Sequence, residues 1–239
     1  PYATLARTSA HSGAAPRSPA VHAAAVRCEL MGPKLSWEGS VTSIQPRIRL
    51  LRSFDQRQHE YLGYVLRLEG SVDRATRACC IAIGKGAQEK QGLQVGDVLA
   101  GNGVPVPDPK REIAEIYRVS GVKVLARSAR ASSSAPPFGG VPPLLSVYRE
   151  RGHRRLASRT YASKCLECIW GCEMPVELII DHWNPEKRRY RRETFCYGPK
   201  SCPLYRAGPT RKVPGRKGMT YEEEDWVDEE ATEHRGLDD

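Results

Sequence analysis

Five of the eight cysteines crowd into 38 residues, 165–202. They run Cys165-x2-Cys168-x3-Cys172 and then Cys196-x5-Cys202. A C-x2-C turn sets two thiolates about one tetrahedral edge apart on a single metal ion. Between the two groups lie a strand-like ELIIDHW (177–183), a turn NPEKRR and a second strand-like YRRETF (190–195). A hairpin there returns the second cysteine pair beside the first. The spacing therefore predicts a metal site with Cys165, Cys168, Cys196 and Cys202 as ligands and Cys172 as a possible substitute for any one of them. Nothing in the chain reads as a secretory signal, so clustered thiols point to metal ligation in a reducing compartment rather than to disulfides. A module of about forty residues cannot fold on its own core, and a structural metal supplies the missing energy.

Two cysteine-bearing turns joined by a β-hairpin resemble a zinc ribbon, and the resemblance implies a small metal-bound β-hairpin module holding structural zinc. The second turn, C-x5-C, departs from the ribbon pattern. The run C-x2-C-x3-C with a distant Cys202-Pro203 is partly similar to ferredoxin spacing, which makes an iron–sulfur cluster the alternative cofactor. Asp181-His182-x-x-Pro185 lies between the cysteine pairs and is similar to the centre of HNH endonucleases. In that family the His is a general base and the Asp helps hold Mg²⁺. The further Asn and His or Asn of the family are absent from 186–233. The plainer reading is that His182 and Trp183 close the hairpin and cover the metal. GKG at 84–86 has no Walker or dinucleotide fingerprint around it. His59 and His153 lack an acid or nucleophile partner in sequence. No catalytic residues are assigned.

The elements upstream must carry this module. From Trp37 to Leu125 short β-patterns recur: WEGSVTSIQPRIRLLRSF with Val41, Ile44, Ile48 and Leu50 inward, YLGYVLRLEG with Leu62, Tyr64, Leu66 and Leu68 on one face, then ACCIAIGKG. In the last, Cys79 and Cys80 point to opposite faces as small core residues. AQEKQGL (87–93) reads as a turn or two of helix, and 95–106 and 113–125 as further strands. The order β-β-β-α-β-β resembles the OB fold, a five-stranded Greek-key barrel. The expected fold is thus mostly β: a five-stranded OB-like barrel at 34–125, then a C-terminal zinc-ribbon-like module. Residues 126–146, rich in Ser, Ala, Pro and Gly, read as a linker, 147–221 as the basic metal module with its arm, and 222–239 as an acidic tail. Residues 1–33 read as a disordered leader, either a transit segment or an extension ahead of a natural start at Met31.

The formal charge is +9 and the pI about 9.2. Residues 222–239 hold ten acidic side chains and one basic, which leaves 36 Lys+Arg against 18 Asp+Glu, or +18, on residues 1–221. A body this basic suits a polyanion. The acidic tail either competes for the basic surface or only solubilises the chain. Arg47, Arg49, Arg52 and Arg57 alternate along the first strand and its loop near Phe54 and Tyr61, with Trp37 and Tyr64 close by in sequence. OB barrels stack bases on aromatics while cations track phosphates. A second basic set includes Arg188 and Arg189 in the hairpin and Arg211, Lys212, Arg216 and Lys217 in an extended arm at 207–219. The expected function is non-catalytic binding of single-stranded or structured RNA or DNA in the cytoplasm, or in an organelle if 1–30 is a transit segment. The alternatives are a protein-docking subunit, through the C-terminal module or the acidic tail, and an HNH-like nuclease. No apolar run approaches the roughly 18 residues of a membrane span.

Overall fold

The computed structural model describes residues 33–129 and 132–237. The expected leader, the possible start at Met31 and Cys28 lie outside the described residues. The described residues are mostly β, with ten strands among them, eight in one large sheet and two in a small one. β1 (Leu35–Arg52) is the organiser. It runs antiparallel to β2 (Arg57–Val72) along nearly its whole length and to β4 (Val98–Pro105) at its start. β2 pairs with β3 (Ala75–Ile83), β3 meets β5 (Ile116–Ala126) in parallel at Ile81–Ile116, and β5 pairs with β4. The pairings thus run β1–β2–β3–β5–β4 and return to β1. The helix α1 (Lys85–Gln91) sits between β3 and β4 and ends at Gly92, whose φ of 54° is the left-handed cap that glycine favours.

Such a long strand must bend, and two irregularities in its register with β2 do this, between Val41 and Ser43 and between Arg47 and Ile48. They let Val41, Ile44, Ile48 and Leu50 all face the core. Gly39 and Gly70 lie opposite each other so closely that a Cβ on Gly70 would stand 2.0 Å from the Glu38 carbonyl oxygen. Cys79 is in the core and Cys80 on the other face of β3, beside Arg67.

The stretch read as a linker is bound along its length. Arg127 donates to the Gln91 carbonyl at 2.7 Å and pairs with Asp97, Phe138 O accepts from Ile169 N, and Pro143 O accepts from Tyr64 Oη at 2.7 Å. Ser- and Pro-rich composition predicts low regular structure correctly, but not the carbonyls that a buried tyrosine can use. Next come α2 (Leu145–Arg151), β6 (Arg154–Arg155) and a short helical stretch α3 (Ser158–Thr160) that widens into a π-type turn at Tyr161–Cys165.

β7 (Gly171–Ile179) and β8 (Arg188–Cys196) form the expected hairpin. β7 extends the sheet by pairing in parallel with the end of β1, Leu50–Arg52 against Val176–Leu178. Met174, Val176, Leu178 and Phe195 then join the same apolar cluster as Ile44, Leu66 and Leu99. The two sequence modules share one core.

The basic arm and acidic tail also fold. β9 (Arg211–Pro214) and β10 (Thr220–Glu223) make a second hairpin, followed by α4 (Asp225–Thr232). Arg155, fully buried, receives this segment. Its backbone N–H and Nε bond Asp228 at 3.0 and 3.1 Å, Nη1 bonds Glu223 O at 2.7 Å, and Nη2 pairs with Asp225. The arm is a hairpin rather than an extended strap because its strand partner lies in the acidic segment. Among the described residues no helix is long and apolar enough to cross a membrane.

Two imidazoles lie where β2 meets the C-terminal half. His59 and His153 stand 4.7 Å apart, and His153 packs edge-on against Phe195. Burial first, then Arg57 and Arg52, pushes His59 down to about 4. Burial, His59 and the arginines Arg57, Arg211 and Arg52 drive His153 well below its usual value, while Glu223 opposes the shift at His59.

Two outcomes are expected. Arg155→Ala leaves Asp228 buried without its partner and should cost about 3–5 kcal/mol in urea unfolding; truncation before Glu222 should lower the urea midpoint as well, rather than merely expose a basic surface. The histidines are protonated in the unfolded chain below about pH 6.5 but resist protonation when folded. Their contribution is therefore complete above that pH and is lost as pH falls toward 4. The urea midpoint should drop across this window, and His153→Phe should flatten that part of the profile.

Candidate functional site

The cysteine turns are built by backbone geometry. Cys165 O accepts from Cys168 N at 3.1 Å and Cys168 O from Gly171 N at 3.0 Å, which curls the C-x2-C segment tightly. β8 delivers Cys196, and turns through Pro199 and Cys202 bring Cys202 back. Cys165, Cys168, Cys196 and Cys202 line one small apolar pocket together with Phe138, Trp170 and Tyr205. Gly198 N–H donates to Cys196 Sγ at 3.4 Å, and the backbone N–H groups of Trp170, Phe138 and Gly171 bear on the Cys168 sulfur. Burial pushes the Cys165 thiol up to about 12 and the Cys168 thiol to about 11, and the neighbouring cysteines add to this at Cys165. Cys172 is not part of this pocket. It lies in the main core, its thiol donating to Pro46 O at 3.4 Å. The four thiols are not drawn into a closed set: among the described residues no group of three or more His, Cys, Asp or Glu is gathered tightly enough to hold a metal ion.

The turn is clamped to β1 from below. Buried Gln45 donates through Nε2 to Cys165 O at 2.9 Å and Cys168 O at 3.0 Å, and its Oε1 accepts from Tyr161 Oη at 2.6 Å. Ser43 Oγ donates to Leu166 O at 2.6 Å. Sequence reading missed both residues: with Ile44 turned inward, alternation puts Ser43 and Gln45 on the opposite face, and nothing local marks that face as covered by the cysteine turn.

The cations expected at a nucleic-acid face divide sharply. Arg52 and Arg211 are buried. Arg52 pairs with Glu223 at 2.5 Å and Glu193 at 3.6 Å, and Arg211 pairs with Glu193 at 2.7 Å and lies over the Phe195 ring. Neither has a face left for phosphate, which corrects the expectation for both. Arg47 pairs with Glu112, and Arg49 reaches Glu60 and the Arg111 carbonyl, so the β4–β5 loop occupies both. Tyr61 is half-buried under the Arg149 guanidinium. Lys212 pairs with Glu222 at 3.0 Å.

The remainder gather at one end, where three hairpin turns meet. His182 Nε2 stands 3.5 Å from Asp55 Oδ1, which joins the β7–β8 turn to the β1–β2 turn. Arg216 Nε stands 3.8 Å from Asp181, which joins the β9–β10 turn. Phe54 packs over Gly215 beside Met219. This end exposes Phe54, Met219 and Trp183, the last 85 % exposed. Around them lie Arg57, Arg188, Arg216 and the exposed Lys187, Arg189 and Lys217, of which the last three make no ion pair among the described residues. Trp183 does not cover the cysteine pocket; Trp170, Phe138 and Tyr205 do. Asp181 is occupied as a turn-former, accepting from Trp183 N at 3.1 Å. The Ser53 hydroxyl, 2.6 Å away, holds the Asp55 carboxyl below the usual carboxylate range.

No family model matches this chain, and no curated protein or solved structure shows significant similarity to it.

Removing the clamp should separate its effect from that of the thiols. Gln45→Ala takes the second donor from the Cys165 and Cys168 carbonyls, which keep the N–H groups of Cys168 and Gly171, and the acceptor from the Tyr161 hydroxyl, at about 1–3 kcal/mol where no water replaces it. Chemical denaturation should report a loss in that range for the whole chain, with β1 and the cysteine turn unfolding together.

Proposed function

We propose that the protein is a non-catalytic nucleic-acid-binding protein that engages RNA or DNA through the end where the three hairpin turns meet, with Cys165, Cys168, Cys196 and Cys202 holding a structural zinc ion. The observation that carries the nucleic-acid reading is Trp183. A large ring this exposed at a hairpin tip, near cations of which Lys187, Arg189 and Lys217 make no ion pair among the described residues, offers a base a stacking surface and its phosphates a counter-charge. Phe54 supplies a second apolar surface, and Arg57, Arg188, Arg189, Arg216, Lys187 and Lys217 supply charge. The closed circuit β1–β2–β3–β5–β4 with a helix between β3 and β4 supports an OB-like barrel as the scaffold. The OB face at Arg47 and Arg49 is taken by the protein's own loop, so binding is assigned to the hairpin end instead.

The donor set suits zinc. Four thiols line an apolar pocket, and backbone N–H groups already point at two of the sulfurs, which stabilises thiolate. Zinc would supply the positive charge that lets buried thiols ionise together. The pocket they share is small and lined by apolar groups, which favours a single ion over a cluster of iron and sulfide. A protein-docking role keeps one supporting observation, Trp226, half exposed on the acidic helix α4.

Single-strand binding measured by fluorescence anisotropy should weaken by about 1–3 kcal/mol in Trp183→Ala. Arg188→Ala or Lys217→Ala should weaken all sequences alike and lower the salt slope by about one. No binding of any polynucleotide at low salt would transfer the reading to protein docking. Mg²⁺-dependent cleavage lost in His182→Ala would make the protein a nuclease. Elemental analysis of protein prepared anaerobically should find about one zinc per chain, absent from Cys165→Ser.

A further inference from the structure

The cysteine turn closes on its own backbone: Cys168 N donates to Cys165 O and Gly171 N to Cys168 O. Gln45 nonetheless brings a second donor to each of these carbonyls, its Nε2 lying 2.9 Å from Cys165 O and 3.0 Å from Cys168 O. The two N–H directions of a planar amide are fixed, so an amide that serves both carbonyls fixes the gap between them. The aim of the amide is fixed in turn. Arg67 Nη2 donates to Tyr161 Oη at 3.3 Å, which leaves the hydroxyl proton for Gln45 Oε1, 2.6 Å away. Turned over, the amide would set its oxygen against two carbonyl oxygens. Glu173 stands 3.3 Å from Arg67 Nη2 and holds the guanidinium. Gln45 and Tyr161 are both buried. Gly171 makes room for this arrangement, since a Cβ there would stand 2.6 Å from Cys165 O and 2.7 Å from Gln45 Nε2. Side chains from β1, β2, β7 and the π-type turn thus converge on two carbonyls that already have a donor each. Those carbonyls belong to the two cysteines of the C-x2-C segment.

We propose that Gln45 is a positioning residue for metal binding in the thiol pocket: it sets the spacing of Cys165 and Cys168, and Arg67 acts through Tyr161 to aim it. The role rests on the zinc reading of the pocket and deepens it. Thiolates that share one ion must stand at set separations, and ligands held there beforehand lose less freedom on binding. Groups that hold ligands without touching the metal govern affinity in this way, at about 10–100-fold each. The amide also ties the ligand turn to β1, the strand that pairs with β2, β4 and β7. Whatever holds the clamped turn therefore favours the metal, and a bound metal favours the clamp.

The test measures zinc affinity of the full-length protein by competition with a chelator under anaerobic, reducing conditions. Absorption of the cobalt(II) form is the second readout, and the urea midpoint of each variant is recorded beside them. Gln45→Met keeps a long side chain and removes the amide. It should weaken zinc by about 10–100-fold and lower the thiolate-to-cobalt charge-transfer band. Tyr161→Phe keeps the amide and removes its aim, so it should weaken zinc by a smaller factor. Tyr64→Phe is the control for stability alone. It loses a hydroxyl bond to Pro143 O at 2.7 Å, outside the thiol pocket, and should bind zinc as the wild type does. Undiminished affinity in Gln45→Met, or an equal loss in Tyr64→Phe, would overturn the positioning role and leave the zinc reading intact. Unchanged affinity in Tyr161→Phe would sink the proposed aiming, even where Gln45→Met does not fold. A wild type that takes up neither zinc nor cobalt removes the zinc reading, and the positioning role with it.

Discussion

The amide of Gln45 is the point on which both halves of the molecule depend. It lies inside β1, where an apolar side chain would serve the core, and instead makes three hydrogen bonds to the cysteine turn and to Tyr161. A buried amide without partners is expensive, so its environment admits one arrangement of that turn. The same strand pairs with β2, β4 and β7. The strand circuit, the thiol pocket and the β7–β8 hairpin are therefore placed with respect to each other by one element.

Charge inside the protein is handled in the same way. The acidic residues beyond position 221 are not a free counterweight. Glu223, Asp225 and Asp228 enter between Arg52, Arg57 and Arg155, and Glu222 holds Lys212. Much of the positive charge counted in the sequence is consequently internal. The surface that can meet a polyanion is smaller and lies mostly at one end, where hairpin tips bring together cations from three separated stretches.

Alternation made the strands legible: Ile44, Leu66, Ile81 and Leu99 each lie in the core, and the separation of Cys79 from Cys80 follows from period two alone. The pairing of the cysteine turns was legible from C-x2-C spacing and the hairpin between them. Register was less so. The bulges in β1 rest on contacts with β2 that no local pattern encodes, and β7 joins β1 through a parallel pairing with more than a hundred residues between. Arginines defeated sequence reading most clearly. Arg52 and Arg57 look alike in a basic stretch, yet one is buried and the other exposed, because Glu193 and Glu223 approach from far along the chain. Trp183 was undervalued for the opposite reason: a tryptophan beside cysteines suggests a lid, while its position in a tight turn makes it a tip.

The dependence of Arg155 on Asp225 and Asp228 sets an order of events during synthesis. A chain emerging from the ribosome presents Arg52 and Arg155 long before the carboxylates of β10 and α4 exist. Until residues 222–232 are made, residues 1–221 carry a formal excess of +18. The strand circuit has every residue it needs by then, but the site that receives the last helix stays open. Completion of this fold thus waits for residues 222–232, and a chain stalled shortly before them keeps an unfilled socket around Arg155.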